Sequence, residues 1–229
     1  FNSKKRFKVV GAGRRFGKSY LARVKLIVKA LEMRNEYGYE LADKACYYIA
    51  PTFNQAKDIM WQPLKQMAAP ITKKVRENEC ILTLTNGRQI YLKGSDRPET
   101  LRGVGLSYVV LDEYAFMKEE VWTAIIRPTL ADARGGGLFI GTPNGKNHFY
   151  DLFLSADTAE ETDDWGAWTF KSLDNPFLDP KEVVLATKDM PLEFVKQEFE
   201  ASFSSFGGTV FNSDMFTVED KGLHGGDLY

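Results

Sequence analysis

The sequence predicts an α/β fold, a mainly parallel sheet with helices on both faces. Two features carry that expectation. Short apolar runs of strand length alternate with longer stretches of helical spacing, the pattern of strands buried on both faces and joined by crossover helices. Several of these runs also stop abruptly, on Gly, Pro or an acidic pair, which ends a strand rather than continuing a helix. At 229 residues, with 44% hydrophobic and 27% charged residues, the chain can bury one sizeable core with a small second lobe. Its composition excludes a disordered or collagen-like chain.

The elements follow in order. Phe7 to Val10 is a strand, followed by a Gly-rich turn. Lys18 to about Arg34 is helical, with Leu21, Val24, Leu26, Ile27 and Leu31 near helical spacing. Cys46 to Ala50 is a buried strand closed by Pro51, and Gln55 to about Met67 is a helix. Ile81–Thr85 and Gln89–Leu92 form a hairpin through Asn86-Gly87. Tyr108–Leu111 is a short apolar strand, Val121–Ile126 is helical, and Leu138–Gly141 is another strand, ended by Thr142-Pro143. After about residue 155 the texture changes. An acidic linker, Asp157 to Asp164, precedes a candidate strand at Trp165–Leu173, two helices split near Pro191, and a Gly-rich end. The expected division is a core over 1–155, a small helical lid over 156–212 and a linker over 213–229.

Charge is unevenly spread. The net charge is −1, yet residues 1–31 hold ten basic and no acidic side chains, while residues 151–229 hold 5 basic and 17 acidic. A basic N-terminal face suits phosphate, on a nucleotide or a nucleic acid. The two cysteines, Cys46 and Cys80, form no CxxC or Cys/His cluster and imply neither a disulfide framework nor a zinc site. No apolar run approaches the roughly 18–20 residues of a membrane helix. No signal segment opens the sequence, and without a starting Met the chain is expected to continue upstream.

The strongest chemical signal is GAGRRFGKS, Gly11 to Ser19, between an apolar strand and a helix. That is the context of a P-loop, in which backbone N–H groups and a helix N-terminus cradle phosphate. The nucleotide-binding residues are expected to be Gly11, Ala12, Gly13, Arg14, Arg15, Phe16, Gly17, Lys18, Ser19 and Tyr20. Lys18 reaches the β- and γ-phosphates and the Ser19 hydroxyl binds Mg²⁺. Ala12 departs from the motif, which asks for Gly there, so a tight turn is expected without that glycine. The second signal is Tyr108-Val-Val-Leu-Asp112-Glu113, a buried strand delivering carboxylates at its C-terminal end. Asp112 is placed to hold Mg²⁺, and Glu113 to activate a water against the γ-phosphate of ATP. Together the two motifs predict a nucleotide-hydrolysing P-loop domain. Thr142 can sense the γ-phosphate if its strand neighbours the phosphate strand. Arg102, before Gly103, is free to reach outward, into a neighbouring subunit's site.

The segments AGRRFGKS, YYIAPTFNQAKDIMW, LRGVGLSYVVLDEYAFM and LFIGTPNGKNHFYDLF resemble the large terminase subunit of tailed bacteriophages. The resemblance spans most of residues 6–155, and more loosely the lobe to about 212. It implies an ATPase of the additional-strand (ASCE) P-loop class, part of a motor that drives double-stranded viral DNA into a procapsid. A metal-dependent nuclease with a ribonuclease-H-like fold makes up the family's C-terminal half. By resemblance, Arg14 touches the γ-phosphate within its own subunit, Arg102 acts across the subunit interface, and Thr142 couples hydrolysis to movement. Ala50 to Lys57 is similar to a helicase motif near the nucleotide or DNA. The implied partners are double-stranded DNA, a portal protein, a small terminase subunit and further copies in a ring, expected as a pentamer. No membrane is involved. The implied location is the host cytoplasm, with transient docking on the procapsid. The family's adenine-contacting glutamine is expected upstream of residue 1, since residues 1–6 hold no Gln. Nuclease activity is expected only in a longer protein.

Two other readings share these residues. Half of a helicase has the same motifs but needs a second motor lobe, for which the residues after Tyr150 are too few. A nucleotide-binding assembly switch needs no hydrolytic carboxylate, and the presence of Lys18, Asp112 and Glu113 speaks against it.

Overall fold

The computed structural model describes residues 3–160 and 163–203. Its strands are β1 (Phe7–Ala12), β2 (Ala45–Ala50), β3 (Thr72–Arg76), β4 (Ile81–Leu84), β5 (Gln89–Gly94), β6 (Leu106–Asp112), β7 (Gly136–Gly141) and β8 (Trp165–Phe170). They form one sheet in the order β3-β4-β5-β2-β6-β7-β1-β8. From β5 to β8 every neighbour is parallel, while β3, β4 and β5 pair antiparallel.

Helices cover both faces, as expected. Side chains alternate along each central strand, so each strand feeds two separate cores. On one face Val10, Tyr48, Val110 and Ile140 pack with Ala22 and Leu26 of α1 (Lys18–Leu31). The same core takes Met60, Trp61 and Leu64 from a helical run over 53–68. On the other face Phe7, Val9, Ile49, Val109 and Phe139 pack with Trp122, Ile125 and Phe149.

The run over 53–68 comprises α2 (Phe53–Ala56), a π-helical segment Lys57–Trp61 and α3 (Gln62–Ala68). Val121–Ile126 is helical as expected but also of π type, and runs into α4 (Arg127–Thr129). Each π segment stops just before a proline, Pro63 or Pro128. Proline offers no N–H to the helical ladder, and a register shift in the preceding turn is one way to accommodate that loss.

Three further differences from the sequence reading have physical causes. β3 was not expected; it is an edge strand carrying Lys73 and Lys74, and such strands need no apolar alternation. α5 (His148–Asp157) was also missed, although Asn147 caps it by accepting from the Phe149 and Tyr150 amides at 3.0 and 3.4 Å. Trp165–Phe170, expected within the lid beyond residue 155, instead extends the central sheet beside β1. Beyond it, α6 (Pro180–Thr187) and α7 (Leu192–Glu198) flank Pro191 as expected. The expected linker over 213–229 lies outside the described residues.

The far end of α1 is held by the β4–β5 hairpin, which also stops the helix at Leu31 rather than near Arg34. Asn86 Nδ2 donates to the Ala30 carbonyl at 3.0 Å, and Arg88 Nη1 donates to those of Lys29, at 2.8 Å, and Glu32. Arg88 also donates to the Lys44 carbonyl and to Ser107 Oγ, and is 1% exposed. This buried guanidinium meets the negative end of the helix dipole and the last unpaired carbonyls together. Arg88→Met should cost about 2–4 kcal/mol of stability, because those carbonyls lose their donors inside the protein; urea unfolding will measure it.

Lys8 is a second buried cation, on the α1 side of β1. Burial, reinforced by Lys25 and Lys29, lowers its pKa to about 8. The folded chain therefore releases this proton before the unfolded chain does, and stability should rise as pH climbs from about 8 toward the ordinary lysine value. Lys8→Met should remove that slope and melt higher at pH 7.

Candidate phosphate-binding site

Because β1, β7, β6 and β2 are parallel, their C-terminal ends share one edge of the sheet, where α/β proteins place ligands. β7 lies between β1 and β6, with Gly141 opposite Gly11 and Ile140 opposite Asp112. Thr142, the next residue, therefore stands between the Gly-rich loop and the acidic pair. It neighbours the phosphate strand as its proposed role requires.

A chain of hydrogen bonds joins these ends. Lys18 Nζ donates to Thr142 Oγ1 at 2.9 Å and to the carbonyls of Ala12 and Gly13 at 2.8 and 3.2 Å. The Thr142 amide donates to Glu113 Oε2 at 3.3 Å, and the Glu113 amide to Asp112 Oδ1 at 3.0 Å. The Tyr48 hydroxyl donates to Asp112 Oδ2. The two motifs singled out in the sequence thus converge.

The electrostatics follow from burial. Lys18 has its pKa lowered by desolvation, opposed by Glu113 and Asp112. Asp112 is 3% exposed, and burial pushes its pKa up to about 6, with Glu113 adding repulsion and the Tyr48 hydroxyl and Lys18 opposing. Tyr48 is raised by its own burial and by Asp112. A cation arriving beside Asp112 would relieve this cost, so the site is polarised toward positive charge. Glu113 has a left-handed backbone, φ 54°, which a non-glycine residue adopts only when its surroundings hold it there.

The loop conformation explains Ala12. That residue closes β1, buried in the core, with ordinary negative φ. The positive φ values fall at Arg15 and Gly17, 58° and 110°, so the tight turn expected at residue 12 is made further on. Gly13 is the glycine that cannot gain a side chain, since a Cβ would sit 2.6 Å from both the Phe199 carbonyl and Ser172 Oγ. Gly17 serves as the N-cap of α1, which has no side-chain cap and no acidic residue in its first turn. Its N-terminal amides are left for a ligand.

A cavity of about 900 Å³ opens in front of these groups, lined by Arg14, Arg15, Gly17, Lys18, Ser19, Tyr20, Gln55, Glu113, Thr142 and Glu198, among others. Arg14 is present there, paired with Glu198 at the end of α7. Phe16 turns away and stacks on Phe170, centroids 4.6 Å apart. Gly11 and Ala12 lie behind the loop and are not among the lining residues. Arg102 is exposed in the crossing from β5 to β6 and also does not line the cavity. Gln55, from the segment Ala50 to Lys57, does line it, while its side chain closes a capping box with Thr52.

The segment after β8 grips the loop from outside. Ser172 Oγ donates to the Arg14 carbonyl at 2.6 Å, Asn175 Nδ2 to that of Arg15 at 2.7 Å, and the Arg14 amide to that of Glu198 at 2.7 Å. Sequence reasoning missed Tyr48, Ser172, Asn175 and Glu198. Tyr48 carried a signal, because a tyrosine within a wholly buried strand must find a partner for its hydroxyl. Glu198, 184 residues from Arg14, carried none.

Residues 9–218 match the terminase large subunit family, T4-like-virus type, N-terminal region. The chain is 29% identical over 167 residues to the large terminase subunit of Thermus phage G20c, an alignment covering 64% of this chain and 33% of that protein. It is 25% identical over 213 residues to that of Escherichia phage T5, covering 91% of this chain and 46% of that protein. The chain thus spans between a third and a half of the length of these relatives. Its fold matches the large terminase ATPase domain of Thermus phage P74-26 with a TM-score of 0.72 and 26% identity, covering 88% of this chain and 90% of that one. It also matches the large terminase of a thermophilic bacteriophage in complex with ATP-gamma-S, with a TM-score of 0.70 at 16% identity, covering 87% of this chain and 48% of that one, a likeness of fold. With its parallel sheet, the strand inserted between the phosphate loop and the acidic pair, and the match over residues 9–218, this chain belongs to the terminase large subunit family, in its N-terminal, additional-strand P-loop region.

Proposed function

We propose that this chain hydrolyses ATP and that hydrolysis drives double-stranded viral DNA into a procapsid. One observation carries the reading: Lys18, Thr142, Glu113, Asp112 and Tyr48 form a continuous hydrogen-bonded line across one sheet edge. Phosphate would take over the Lys18 ammonium, now satisfied by loop carbonyls, and the open amides of α1. Glu113 would accept a proton from a water in line with the γ-phosphorus, in reach of the Thr142 amide it already contacts. Arg14 would exchange Glu198 for the γ-phosphate. The names of the relatives, a large terminase ATPase domain and a large terminase with ATP-gamma-S, support ATP as the substrate.

Mg²⁺ fits the residues present. Ser19 and Asp112 supply oxygen donors, and among the described residues there is no cluster of three or more His, Cys, Asp or Glu that would cage a metal by itself. Such a sparse site suits an ion that takes its other ligands from phosphate and water, and that would screen the developing charge on the phosphate oxygens.

The segment after β8 would act as the lid, with its grip on the loop as the linkage between nucleotide state and lid position. A portal protein, a small terminase subunit and further copies in a pentameric ring are the proposed partners. Host cytoplasm, with transient docking on the procapsid, is the proposed location. The exposure of Arg102, away from its own cavity, supports action on a neighbour. Nuclease activity would belong to a longer protein.

Lys18→Ala should abolish ATP binding in calorimetry, while Glu113→Gln should bind ATP and release phosphate about 10²–10⁴-fold more slowly. Phosphate release by the native chain no faster than by Glu113→Gln, with ATP still bound, would leave the assembly-switch reading in its place. Arg102→Ala should bind ATP but hydrolyse it at least about 10³-fold more slowly in rings. Mixing it with Glu113→Gln should restore part of the rate, since one partner supplies the arginine and the other the base.

A further inference from the structure

We propose that a basic cavity at the opposite edge of the sheet, where β1, β6 and β7 begin, is a second phosphate-binding site, one that takes a compact anion of at least two charges. It shares no lining residue with the cavity at the phosphate loop. Its volume is about 230 Å³, below the roughly 300–1,000 Å³ of a cleft for a drug-sized organic ligand. Among the described residues, seven of its lining side chains are lysine or arginine and two are glutamate.

The cationic surplus is not absorbed by the protein's own acids. Arg6 pairs with Asp164 at 3.2 Å and Lys29 with Glu32 at 2.9 Å, which leaves Glu36 as the other glutamate lining the cavity. Lys8, on β1, is 7% exposed, and among the described residues its ammonium donates to one acceptor, the Lys5 carbonyl. An ammonium has three N–H donors to satisfy. Lys25 and Lys29 stand one turn apart on α1, and both act on Lys8 electrostatically. Three cations so placed cost stability by themselves, and a polyanion between β1 and α1 removes that cost. A carboxylate brings one charge. Phosphate brings more, on oxygens that point in several directions, and so can meet lysines on both walls.

The remaining wall is held in place by local structure. Arg134 has a left-handed backbone, φ 46°, and is followed by Gly135, where a Cβ would lie 2.7 Å from the Leu106 and Ser107 carbonyls. The Arg134 guanidinium carbon stands 3.9 Å from the centroid of the Tyr37 ring. Asn35 positions that ring: its Oδ1 accepts from the Tyr37 amide at 3.1 Å and its Nδ2 donates to the Ala133 carbonyl at 2.7 Å. A guanidinium stacked by its face keeps its N–H edge for an anion. Tyr108 lines the same cavity at 2% exposure, and its hydroxyl makes no hydrogen bond among the described residues. A buried tyrosine hydroxyl ordinarily has a partner.

Calorimetric titration with pyrophosphate, at fixed ionic strength and without added Mg²⁺, tests the site on the native chain, Lys8→Met, Lys25→Gln and Lys18→Ala. Lys8→Met removes a buried charge and should keep the fold. The native chain should bind one pyrophosphate more than Lys8→Met does. Lys25→Gln should keep that equivalent, held at least about tenfold more weakly. Lys18→Ala, which disables the phosphate loop, should keep it at native affinity, so failure of the loop reading leaves this site standing. Equal stoichiometry and affinity in the native chain and Lys8→Met would overturn the proposal, and so would native affinity in Lys25→Gln. A 5′-phosphorylated DNA oligonucleotide added to the pyrophosphate complex of Lys18→Ala separates the sources of the anion. Displacement of pyrophosphate assigns the site to phosphate carried by nucleic acid, and its retention assigns the site to a free anion.

Discussion

The structure depends on one arrangement, a half-buried ammonium held between a loop and a strand end. Lys18 donates to the carbonyls of Ala12 and Gly13 and to Thr142, so the loop is curled around its own cation. That arrangement requires β7 to run beside β1, because only then does Thr142 arrive at the right height. It also requires β6 to run beside β7, because Glu113 must accept from the Thr142 amide. The order β6-β7-β1 is therefore tied to the chemistry. With β6 directly beside β1, no hydroxyl would stand between lysine and glutamate.

The helix that follows the loop is treated differently at its two ends. Its N-terminus has no side-chain cap and no acid in its first turn, which leaves backbone donors and a positive dipole end unmet by side chains. Its C-terminus is closed by Asn86 and Arg88. The antiparallel β4–β5 hairpin thus acts at a distance: it anchors one end of α1 so that the other can be left unsatisfied. Buried charges recur across this face, with Lys8, Lys18, Arg88 and Asp112 all largely withdrawn from water, and each meets a carbonyl, hydroxyl or amide.

The segment after β8 and the loop share backbone as well as side-chain bonds, which makes their positions interdependent. Gly13 donates to Phe170 at the end of β8 and Arg14 to Glu198, while Ser172 Oγ donates to the Arg14 carbonyl. A ligand that reshapes the loop must reshape this seam. Arg14 stands at its centre, with its amide and its guanidinium both directed to Glu198.

Local chemistry made much of this legible in the sequence. The Gly-rich turn between an apolar run and a helix, the acidic pair after Leu111 and the Thr-Pro after Gly141 are each short-range patterns, because a phosphate loop and a strand end are built from adjacent residues. The class of fold and the residues of the cation–carboxylate line followed from them. The partners those residues find across the chain were settled only by tertiary structure. Tyr48 meets Asp112, Glu198 meets Arg14, and Trp165–Phe170 returns to the core sheet beside β1. Edge position hid β3, whose lysines give no alternation. Ala12 looked like a defect in the motif and is none, because the backbone turns at Arg15 and Gly17 instead. Adjacent residues determine what a segment can do; packing between segments distant in sequence decides which of those capacities meet.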